Sequence, residues 1–449
     1  MQFRQFYLGC LSHASYYIGS GGEAAIIDPQ RDVQQYLDEA AAHGQTIKYV
    51  IETHSHADFV SGHVELATKT GAQIIYGKRA NTKFDTLKVQ DGDALRVGEV
   101  KLTFRETPGH TPEGITIIAE EDDQPPKVFT GDTLFIGDVG RPDLVGSVGF
   151  TSEQMASMLY DSIHGKIMPL PDTAEIYPAH GAGSLCGKSL SKETWSTLGE
   201  QRRFNYALQP MSKDDFVKIV ASGQPEVPQY FPKSAARNLE GSPSLEELPV
   251  PREMGEEEIR TFDGVVLDVR KPGEYGEGHV PKSINIGLGG QFATWAGTLI
   301  PIGTPVAVVA ATTEQVDEAV MRLARVGHET VNGYILADAL ESHRNEVEQV
   351  SVEEASQRTQ AEGLQFIDVR RSGEYENGHA AGSHNIPLDK LAERVDEVDP
   401  TLPTYVICQG GYRSSIGCGI LENAGFNELY NVAGGTAAWI EAGLPVNED

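Results

Sequence analysis

Apolar and polar positions predict alternating strands and helices in the C-terminal half of the chain. Residues 265–286 read VVLDVRKPGEYGEGHVPKSINI and residues 365–386 read QFIDVRRSGEYENGHAAGSHNI, the same pattern at an offset of one hundred positions. Each copy continues to a short apolar strand, PVAVVA at 305–310 and TYVIC at 404–408, and then to a helical pattern. This alternation predicts a parallel sheet flanked by helices in each copy.

The first 230 residues follow another pattern, in which short apolar strands come in pairs. ASYYIG precedes EAAIID, VKLTFRE precedes GITIIAE, and helical patterns run over 31–43, 61–71 and 152–164. A layered α/β domain on mostly antiparallel sheet is predicted. The segment after it is rich in Pro, Ser and Glu without periodicity, which indicates a linker. We therefore expect an α/β multidomain protein with a first domain at 1–235, a linker at 236–254 and repeated domains at 255–345 and 352–449.

Composition excludes several classes of protein. With 65 acidic and 36 basic residues the net charge is -29, which argues against nucleic acid as a partner. No apolar run approaches the roughly 18 residues of a membrane helix, and the N-terminal residues lack the pattern of a secretory signal, so we expect a cytoplasmic protein. The four cysteines, Cys10, Cys186, Cys408 and Cys418, form no C-x-x-C pair and are expected to be free thiols.

Four predicted strands end in residues that can bind a metal. The run KYVIET is followed by His54, His56 and Asp58, and later strands end at His110 in TPGHT, Asp132 in FTGDT and His180 in YPAHG. Imidazole nitrogens and carboxylate oxygens at neighbouring strand ends can converge on one cation. Spacing alone does not distinguish Fe(II) from Mn(II) or a single zinc.

The ordered motifs HxHxD, PGHT, TGDT and YPAHG resemble the metallo-β-lactamase superfamily over residues 1–235, which implies an αββα sandwich with a metal between its sheets. Hydrolytic members usually read HxHxDH, whereas this sequence has Phe59 at the second-site histidine. The remaining candidate ligands, His54, His110 and Asp132, resemble those of the persulfide dioxygenase branch of this superfamily. That resemblance implies one Fe(II) per chain on His54, His110 and Asp132, with positions open for O2 and substrate. It also implies that His56, Asp58 and His180 orient the ligands by hydrogen bonds.

The substrate of that branch is a thiol persulfide, and three residues are candidates for holding its carrier. Arg141 in GRPD matches a loop whose arginine binds the thiol in glutathione-using relatives, but Ala182 replaces their tyrosine. The stretch GAGSLCGKSLSK, with Cys186 and Lys188, suits an anionic carrier. Coenzyme A, bacillithiol, cysteine and glutathione remain open as carriers, and Cys186 is either a persulfide carrier or an incidental thiol.

A second candidate site lies in the second repeat. Strand TYVI leads into Cys408, followed by QGGYRSS and a helix. Backbone N–H groups at Gly410 and Gly411, the positive end of the helix dipole and Arg413 all favour a thiolate, and Ser414 completes the loop. Cys418 falls on the helix and is expected to be a small core residue.

This loop resembles the CxxGxR loop of rhodanese-type sulfurtransferases, and the DVR, GEY and GHA motifs of both repeats match the same family. In the first repeat Ala310 aligns with the cysteine, and Ala311-Thr-Thr-Glu replaces the glycine and arginine positions of the loop. We therefore expect the first repeat to be a structural or docking domain.

Across nearly its whole length the chain resembles bacterial fusions of a persulfide dioxygenase with two rhodanese domains. The resemblance implies oxidation of a persulfide by O2 to sulfite, sulfur transfer through Cys408 to give thiosulfate, and a role in sulfide detoxification. Two alternatives remain: a two-zinc thioester hydrolase with rhodanese appendages, and a non-catalytic sulfur-trafficking or sensor protein. Whether the chain forms a homo-oligomer is left open.

Overall fold

The computed structural model describes residues 1–144, 149–188, 190–224, 226–340, 344–359, 361 and 363–448. These form two compact units, one of Met1–Leu248 with Ala324–Gly327 and one of Pro249–Leu323 with His328–Asp449. In the described ranges, no helix is long and apolar enough to span a membrane.

Two six-stranded sheets form the first unit. The first sheet has the order β1 (Gln2–Leu8), β2 (His13–Ser20), β3 (Glu23–Ile27), β4 (Thr46–Ile51), β5 (Gln73–Gly77), β6 (Leu87–Val89). The second contains β7 (Ala94–Val97), β8 (Val100–Glu106), β9 (Ile115–Glu120), β10 (Lys127–Gly131), β11 (Glu175–Pro178) and β12 (Ser196–Thr197), in reverse order across the sheet. Strands β3 to β6 pair in parallel, as do β10 and β11, so the first sheet is less antiparallel than the strand pattern indicated.

Helices cover both outer faces of this sandwich. They are α1 (Gln34–Ala42), α2 (His63–Thr70), α3 (Ser152–Ser162), α4 (Leu198–Phe204), α5 (Lys213–Ala221) and α6 (Phe231–Glu240). A central core that includes Tyr16, Phe104 and Phe129 joins the facing sheets, while separate cores lie under α1 with α2 and under α3 with α5. The layers are therefore αββα, because each sheet has one apolar face toward its partner and one toward helices.

The segment expected to be a linker is partly built into the first unit. Helix α6 runs to Glu240, and the compact unit extends to Leu248. The buried side chain of Asn238 donates from Nδ2 to the carbonyls of His56 and Phe59 at 2.8 and 2.7 Å. Polar composition alone indicated a linker because the buried contacts of α6 come mainly from Phe231, Ser234 and Asn238 rather than from a long apolar stripe.

The second unit contains the two repeats, each with a five-stranded sheet whose pairs are parallel. The first sheet has the order β13 (Arg252–Glu253), β17 (Gly333–Leu336), β16 (Val306–Ala310), β14 (Val265–Asp268), β15 (Ile284–Asn285). The second has β18 (Glu348–Val350), β23 (Leu429–Val432), β22 (Thr404–Ile407), β19 (Gln365–Asp368), β21 (His384–Asn385), and a short pair is formed by β20 (His379–Ala380) and β24 (Val446–Asn447).

The helices of the second unit are α7 (Glu256–Arg260), α8 (Pro272–Gly276), α9 (Phe292–Leu299), α10 (Thr313–Ala324), α11 (Val352–Arg358), α12 (Ser372–Glu376), α13 (Tyr412–Asn423) and α14 (Gly435–Glu441). One buried cluster contains side chains of both repeats, among them Tyr275, Trp295, Ile416 and Leu421. The two repeats therefore share an apolar core, as expected for domains that bury their faces against each other.

Candidate functional site

His54, His110 and Asp132 lie together at one edge of the sandwich. His54 follows β4, His110 lies in the loop after β8, and Asp132 follows β10 directly. The Nε2 atoms of His54 and His110 lie 3.7 and 3.4 Å from Asp132 Oδ2. All three side chains are buried, and their candidate ligand atoms lie within 4.8 Å of one another. Two imidazoles and one carboxylate thus converge on a single point.

Hydrogen bonds on the far side of each ring fix the two imidazole tautomers. His110 Nδ1–H donates to the carbonyl of Arg141 at 2.8 Å. Thr53 Oγ1 donates to Asp28 Oδ2 at 2.8 Å and therefore accepts from His54 Nδ1–H at 2.9 Å. A neutral imidazole that donates from Nδ1 has a lone pair at Nε2. Both rings therefore present a metal-binding nitrogen to the carboxylate.

The electrostatics of this cluster fit a divalent cation. Burial raises the pKa of the Asp132 carboxyl to about 6 and lowers the pKa of His110 to about 4. Burial, followed by neighbouring imidazoles, lowers the pKa of His54 well below its ordinary value. Neither oxygen of Asp132 accepts a hydrogen bond of normal geometry from the described residues. A buried carboxylate in this state is costly, and a cation would satisfy both it and the facing lone pairs.

His56, Asp58 and His180 form an adjacent buried group. His180 Nδ1 lies 3.5 Å from Asp58 Oδ2, and His180 Nε2 lies 3.7 Å from Asp132 Oδ1. Burial lowers the pKa of His180 and raises the pKa of Asp58 to about 6.

The ring of His56 is instead held by carboxylates. Its Nε2 lies 3.2 Å from Asp28 Oδ1 and 3.3 Å from Glu52 Oε2. Burial alone would lower the pKa of His56, but these two carboxylates raise it well above its ordinary value. The Nε2 atom of His56 is thus engaged by two carboxylates. The network also fixes Asp28, which anchors the hydroxyl behind His54.

His13 is a buried residue at this site that the motifs did not reveal. Its ring lies 4.1 Å from the Phe59 ring and 5.3 Å from the His180 ring, centroid to centroid. Burial, then the neighbouring imidazoles, lowers the pKa of His13 well below its ordinary value. It lies at the start of a strand outside any spaced motif, so only the backbone bridge between His13 and His180 places it here.

The side chain of Arg141 is paired within the protein. Its guanidinium is fully buried and donates to both carboxylate oxygens of Asp143 at 2.7 Å and to the Leu185 carbonyl at 3.1 Å. We expected Arg141 to hold the thiol carrier, whereas the structure uses its carbonyl to orient His110. The physical reason is the carboxylate two residues away, which forms a bidentate pair with the guanidinium.

Cys186 and Lys188 also differ from the expected carrier loop. Lys188 Nζ donates to the carbonyls of Ile219 and Ser222, at the C-terminal end of α5, where a cation is favoured. Cys186 is buried, and its Sγ groups with ligand atoms of Asp132 and His180. Burial, then nearby carboxylates, raises the pKa of the Cys186 thiol well above its ordinary value. The thiol thus lies beside the metal-ligand cluster rather than on an exposed loop.

The candidate sulfur-transfer loop surrounds a buried thiol. Cys408 follows β22, and its Sγ accepts from the Gly411 N–H at 3.1 Å and from Ser414 Oγ at 3.4 Å. Gly411 has φ +90° and precedes the first residue of α13, so the loop turns directly into the helix start. This left-handed conformation favours glycine. Gly435 packs closely against this loop, because a Cβ on Gly435 would lie 2.1 Å from the Cys408 carbonyl oxygen and 2.7 Å from Gly410 N.

Arg413 is paired with a carboxylate that the loop motif did not indicate. Its two terminal nitrogens donate to the two oxygens of Glu374, each at 2.7 Å. Burial alone would raise the pKa of Glu374, but the guanidinium lowers it below its ordinary value. Arg413 was expected to support the thiolate, and the structure shows that Glu374 balances part of its charge.

Sheet registers establish which residue of the first repeat corresponds to Cys408. Asp268 pairs with Val309 and Asp368 pairs with Ile407, so Ala310 occupies the position of Cys408. In the first repeat the backbone N–H of Ala311, the residue after Ala310, donates to Gln315 Oε1 at 2.9 Å. Ala310 carries no nucleophile, so the first repeat cannot form a cysteine persulfide at this position.

Comparisons with known proteins agree with this geometry. The model of the metallo-beta-lactamase superfamily matches residues 8–180, and the model of the rhodanese-like domain matches residues 252–342 and 351–442. Human mitochondrial persulfide dioxygenase ETHE1 is 32% identical over 225 residues, which are 48% of this chain and 78% of that protein. A hydroxyacylglutathione hydrolase from a Polaromonas species is 33% identical over 162 residues, covering 35% of this chain and 57% of that protein.

The crystal structure of a metallo-beta-lactamase from Staphylococcus aureus subsp. aureus COL has a TM-score of 0.67 and 34% sequence identity, and the match covers 75% of this chain and 98% of that one. Fold and site thus define a metal-binding domain of the metallo-β-lactamase superfamily followed by two rhodanese-like domains. The chain belongs to the persulfide dioxygenase family, in a form fused to rhodanese-like domains. The fold class, the family and the assignment to enzymes are therefore confirmed.

Proposed function

We propose that the first unit oxidises the outer sulfur of a low-molecular-weight thiol persulfide with O2, and that the second repeat transfers sulfur through Cys408. The observation that carries the proposal is the buried His54, His110 and Asp132 cluster, with Phe59 beside it where a second metal would need a histidine. This donor set is typical of Fe(II) oxygenases. The similarity to human ETHE1, a persulfide dioxygenase, supports the same reaction.

The overall chemistry balances in two parts. In the first, RSSH, O2 and H2O give RSH, sulfite and two protons. The outer sulfur is oxidised and the four electrons it loses reduce O2. In the second, the Cys408 thiolate takes the outer sulfur of another RSSH and releases RSH. Sulfite then attacks that sulfur, the S–S bond to Cys408 breaks, and thiosulfate leaves while the thiolate is regenerated.

The residues of the first unit orient the metal-binding atoms within a buried site. Thr53 and the Arg141 carbonyl hold the Nε2 lone pairs of His54 and His110 toward Asp132. His56 is locked between carboxylates, and the Phe59 ring packs 4.5 Å from it, centroid to centroid. When bound at this cluster, Fe(II) would supply the redox chemistry that O2 requires.

In the second repeat, the chain's own donors stabilise the leaving thiolate. The Gly411 N–H and the Ser414 hydroxyl both point to the Cys408 sulfur, so negative charge that develops there during sulfite attack meets existing hydrogen bonds. Glu374 orients the Arg413 guanidinium beside this loop.

The thiol carrier belongs to the same proposal as a choice among coenzyme A, bacillithiol, cysteine and glutathione persulfides. Arg141 and Lys188 are occupied by protein acceptors, so neither supplies an unshared charge for an anionic carrier. Persulfide-dependent O2 uptake measured with each of the four persulfides in turn would rank them directly.

Product analysis of the full chain tests the proposal, together with its metal content. We expect about one iron per chain, O2 uptake that requires persulfide, and thiosulfate as product. Cys408→Ala should keep the O2 uptake and release sulfite instead, while Cys418→Ala, on the buried face of α13, should still yield thiosulfate.

Other outcomes would favour the alternatives. Two zinc ions per chain with thioester hydrolysis and no persulfide-dependent O2 uptake would establish the hydrolase, which the grouped His56, Asp58 and His180 make the nearest rival. Sulfur loading of Cys408 without turnover in the first unit would indicate a trafficking or sensor protein.

A further inference from the structure

The first repeat, which has Ala310 at the position of Cys408, contacts α13, the helix that follows the sulfur-transfer loop. Ser415 Oγ donates to Asn285 Oδ1 at 2.7 Å, and both side chains are buried. Asn285 Nδ2 donates to the carbonyls of Asp268 and Arg270, so its amide oxygen is the atom that faces Ser415. Further along α13, Glu422 accepts from His279 Nε2 at 2.7 Å. Residues of the first repeat thus hold α13 at its beginning and near its end.

Tyr412 extends this contact into the loop itself. Its hydroxyl donates to the Gly287 carbonyl at 2.8 Å. Its ring fills the space that a side chain at Gly290 would need, because a Cβ added to Gly290 would lie 2.5 Å from Cζ of Tyr412. A Cβ added to Gly287 would make an ordinary contact with the same ring, at 3.7 Å. We call Gly287 and Gly290 the tyrosine seat. The equivalent positions of the second repeat are Pro387 and Lys390, so the seat is particular to the first repeat.

The tyrosine seat is held in place from within the first repeat. Arg322, a buried residue of α10, donates to the carbonyls of Leu288 and Gly290 at 2.6 and 3.1 Å. Its guanidinium also lies over the Phe292 ring, with Cζ 5.3 Å from the ring centroid. Charge-assisted bonds of a buried arginine to two carbonyls give a segment little freedom to move.

Tyr412 lies between the two groups that donate to the reactive sulfur. Gly411, whose N–H reaches Cys408 Sγ, precedes it, and Ser414, whose hydroxyl does the same, follows two residues later. A shift of the Tyr412 backbone therefore moves these donors, since the chain that connects them is short.

We propose that Tyr412 is a positioning residue, and that the first repeat sets the geometry of the Cys408 loop by binding the Tyr412 side chain at the tyrosine seat. Its effect on turnover rests on the proposed sulfur transfer, whereas its effect on the reactivity of Cys408 does not. The first repeat would then act on catalysis through Tyr412 without touching the substrate.

Substitution of neighbouring glycines provides a matched test in the full chain. Gly290→Ala places a methyl group against the Tyr412 ring, whereas a Cβ on Gly289 meets nothing within 4 Å. Neither glycine has positive φ, so alanine fits both backbones. For Gly290→Ala we expect kcat/KM of thiosulfate:cyanide sulfur transfer to fall about tenfold or more, chiefly in kcat. Gly289→Ala should stay within about twofold of wild type.

Cys408 alkylation by iodoacetamide, followed by peptide mass spectrometry, is the readout that a merely structural role would not move. With its donors displaced, the pH profile of alkylation should shift to higher pH in Gly290→Ala but not in Gly289→Ala. Tyr412→Phe, which removes only the hydroxyl bond to Gly287, should shift the profile in the same direction by less.

The outcomes separate this inference from the proposed function. Equal alkylation profiles and equal turnover in Gly290→Ala and Gly289→Ala would overturn the positioning role, and so would an unchanged Tyr412→Phe profile if Gly290→Ala does not fold. Persulfide-dependent O2 uptake should be equal in all variants. A wild-type chain without O2 uptake or sulfur transfer would refute the proposed function, while the alkylation comparison would still decide the role of Tyr412.

Discussion

Replacing Thr53 with valine removes the hydroxyl that sets the tautomer of His54. Thr53 Oγ1 accepts from His54 Nδ1–H at 2.9 Å and donates to Asp28 Oδ2 at 2.8 Å. Valine has nearly the same shape, so Thr53→Val loses both hydrogen bonds and retains most of the packing. Without an acceptor at Nδ1, the ring proton can move to Nε2, the nitrogen that the metal needs.

The magnitude follows from the two bonds. A buried neutral hydrogen bond, such as that to the His54 ring, contributes about 0.5–1.5 kcal/mol, and a bond to a charged group, such as the Asp28 carboxylate, contributes about 1.5–3 kcal/mol. The substitution therefore removes roughly 2–4.5 kcal/mol of hydrogen bonding from this network. Both bonds also form in the metal-free protein, so only part of this free energy changes the metal affinity. For metal affinity we therefore expect a fall of about 10- to 100-fold, which is typical when a partner behind a ligand histidine is removed.

Competition between the metal-free chain and a chelator of known affinity, under anaerobic conditions with Fe(II), measures this change. Thr404→Val is the matched control, because Thr404 is equally buried but lies in the other unit, where Oγ1 donates to the Leu402 carbonyl at 3.0 Å. We expect the control to bind metal as the wild type does. Equal affinity in wild type, Thr53→Val and Thr404→Val would refute the role of the hydroxyl.

Three further predictions concern other parts of the chain. Phe59→His supplies a second-site ligand beside the buried His56, Asp58 and His180 group. After the metal-free chain is loaded with zinc, elemental analysis should therefore find about two zinc ions per chain in Phe59→His, and about one in the wild type and in Phe59→Leu. Because Arg413 lowers the folded-state pKa of Glu374, its contribution to stability is present above the unfolded value and lost as pH falls through the folded value. The free energy of unfolding of the wild type, measured with urea, should thus fall below about pH 4.5, and Glu374→Gln should make it depend less on pH. Parallel plots of this free energy against pH for the two proteins would contradict the ion pair. Thr151→Ala removes the cap that accepts from the Gln154 N–H at 3.2 Å, and it should destabilise the first unit by about 1 kcal/mol in the same assay, an unchanged midpoint being the contrary result.

Much of the site could be predicted because its residues follow apolar strands. His54, His110 and Asp132 each come after a strand of the sandwich, and strand ends at one edge bring their loops together. The hundred-residue offset likewise equated Ala310 with Cys408, and the sheet registers agree. Strand periodicity and repeat spacing are local patterns, so they survive without knowledge of the tertiary contacts.

The partners of long side chains could not be predicted in the same way. Arg141 and Lys188 were expected at the carrier, yet the structure pairs Arg141 with Asp143 and directs Lys188 to the end of a helix. Asn238 lies in the expected linker but holds the metal-binding loop by two hydrogen bonds. A flexible polar group binds the acceptor that folding brings near it, and composition does not indicate which acceptor that is.

By itself the sequence determined the fold class, the repeat, and which residue types could bind metal or carry sulfur, since periodicity and side-chain chemistry are properties of short segments. Only the tertiary structure decided how those groups are prepared. The tautomer of His110 depends on the Arg141 carbonyl, the charge beside Cys408 on Glu374, and the loop around Cys408 on the seat that the first repeat provides for Tyr412. Each of these contacts joins residues distant along the chain, so each exists only once the sheets have packed.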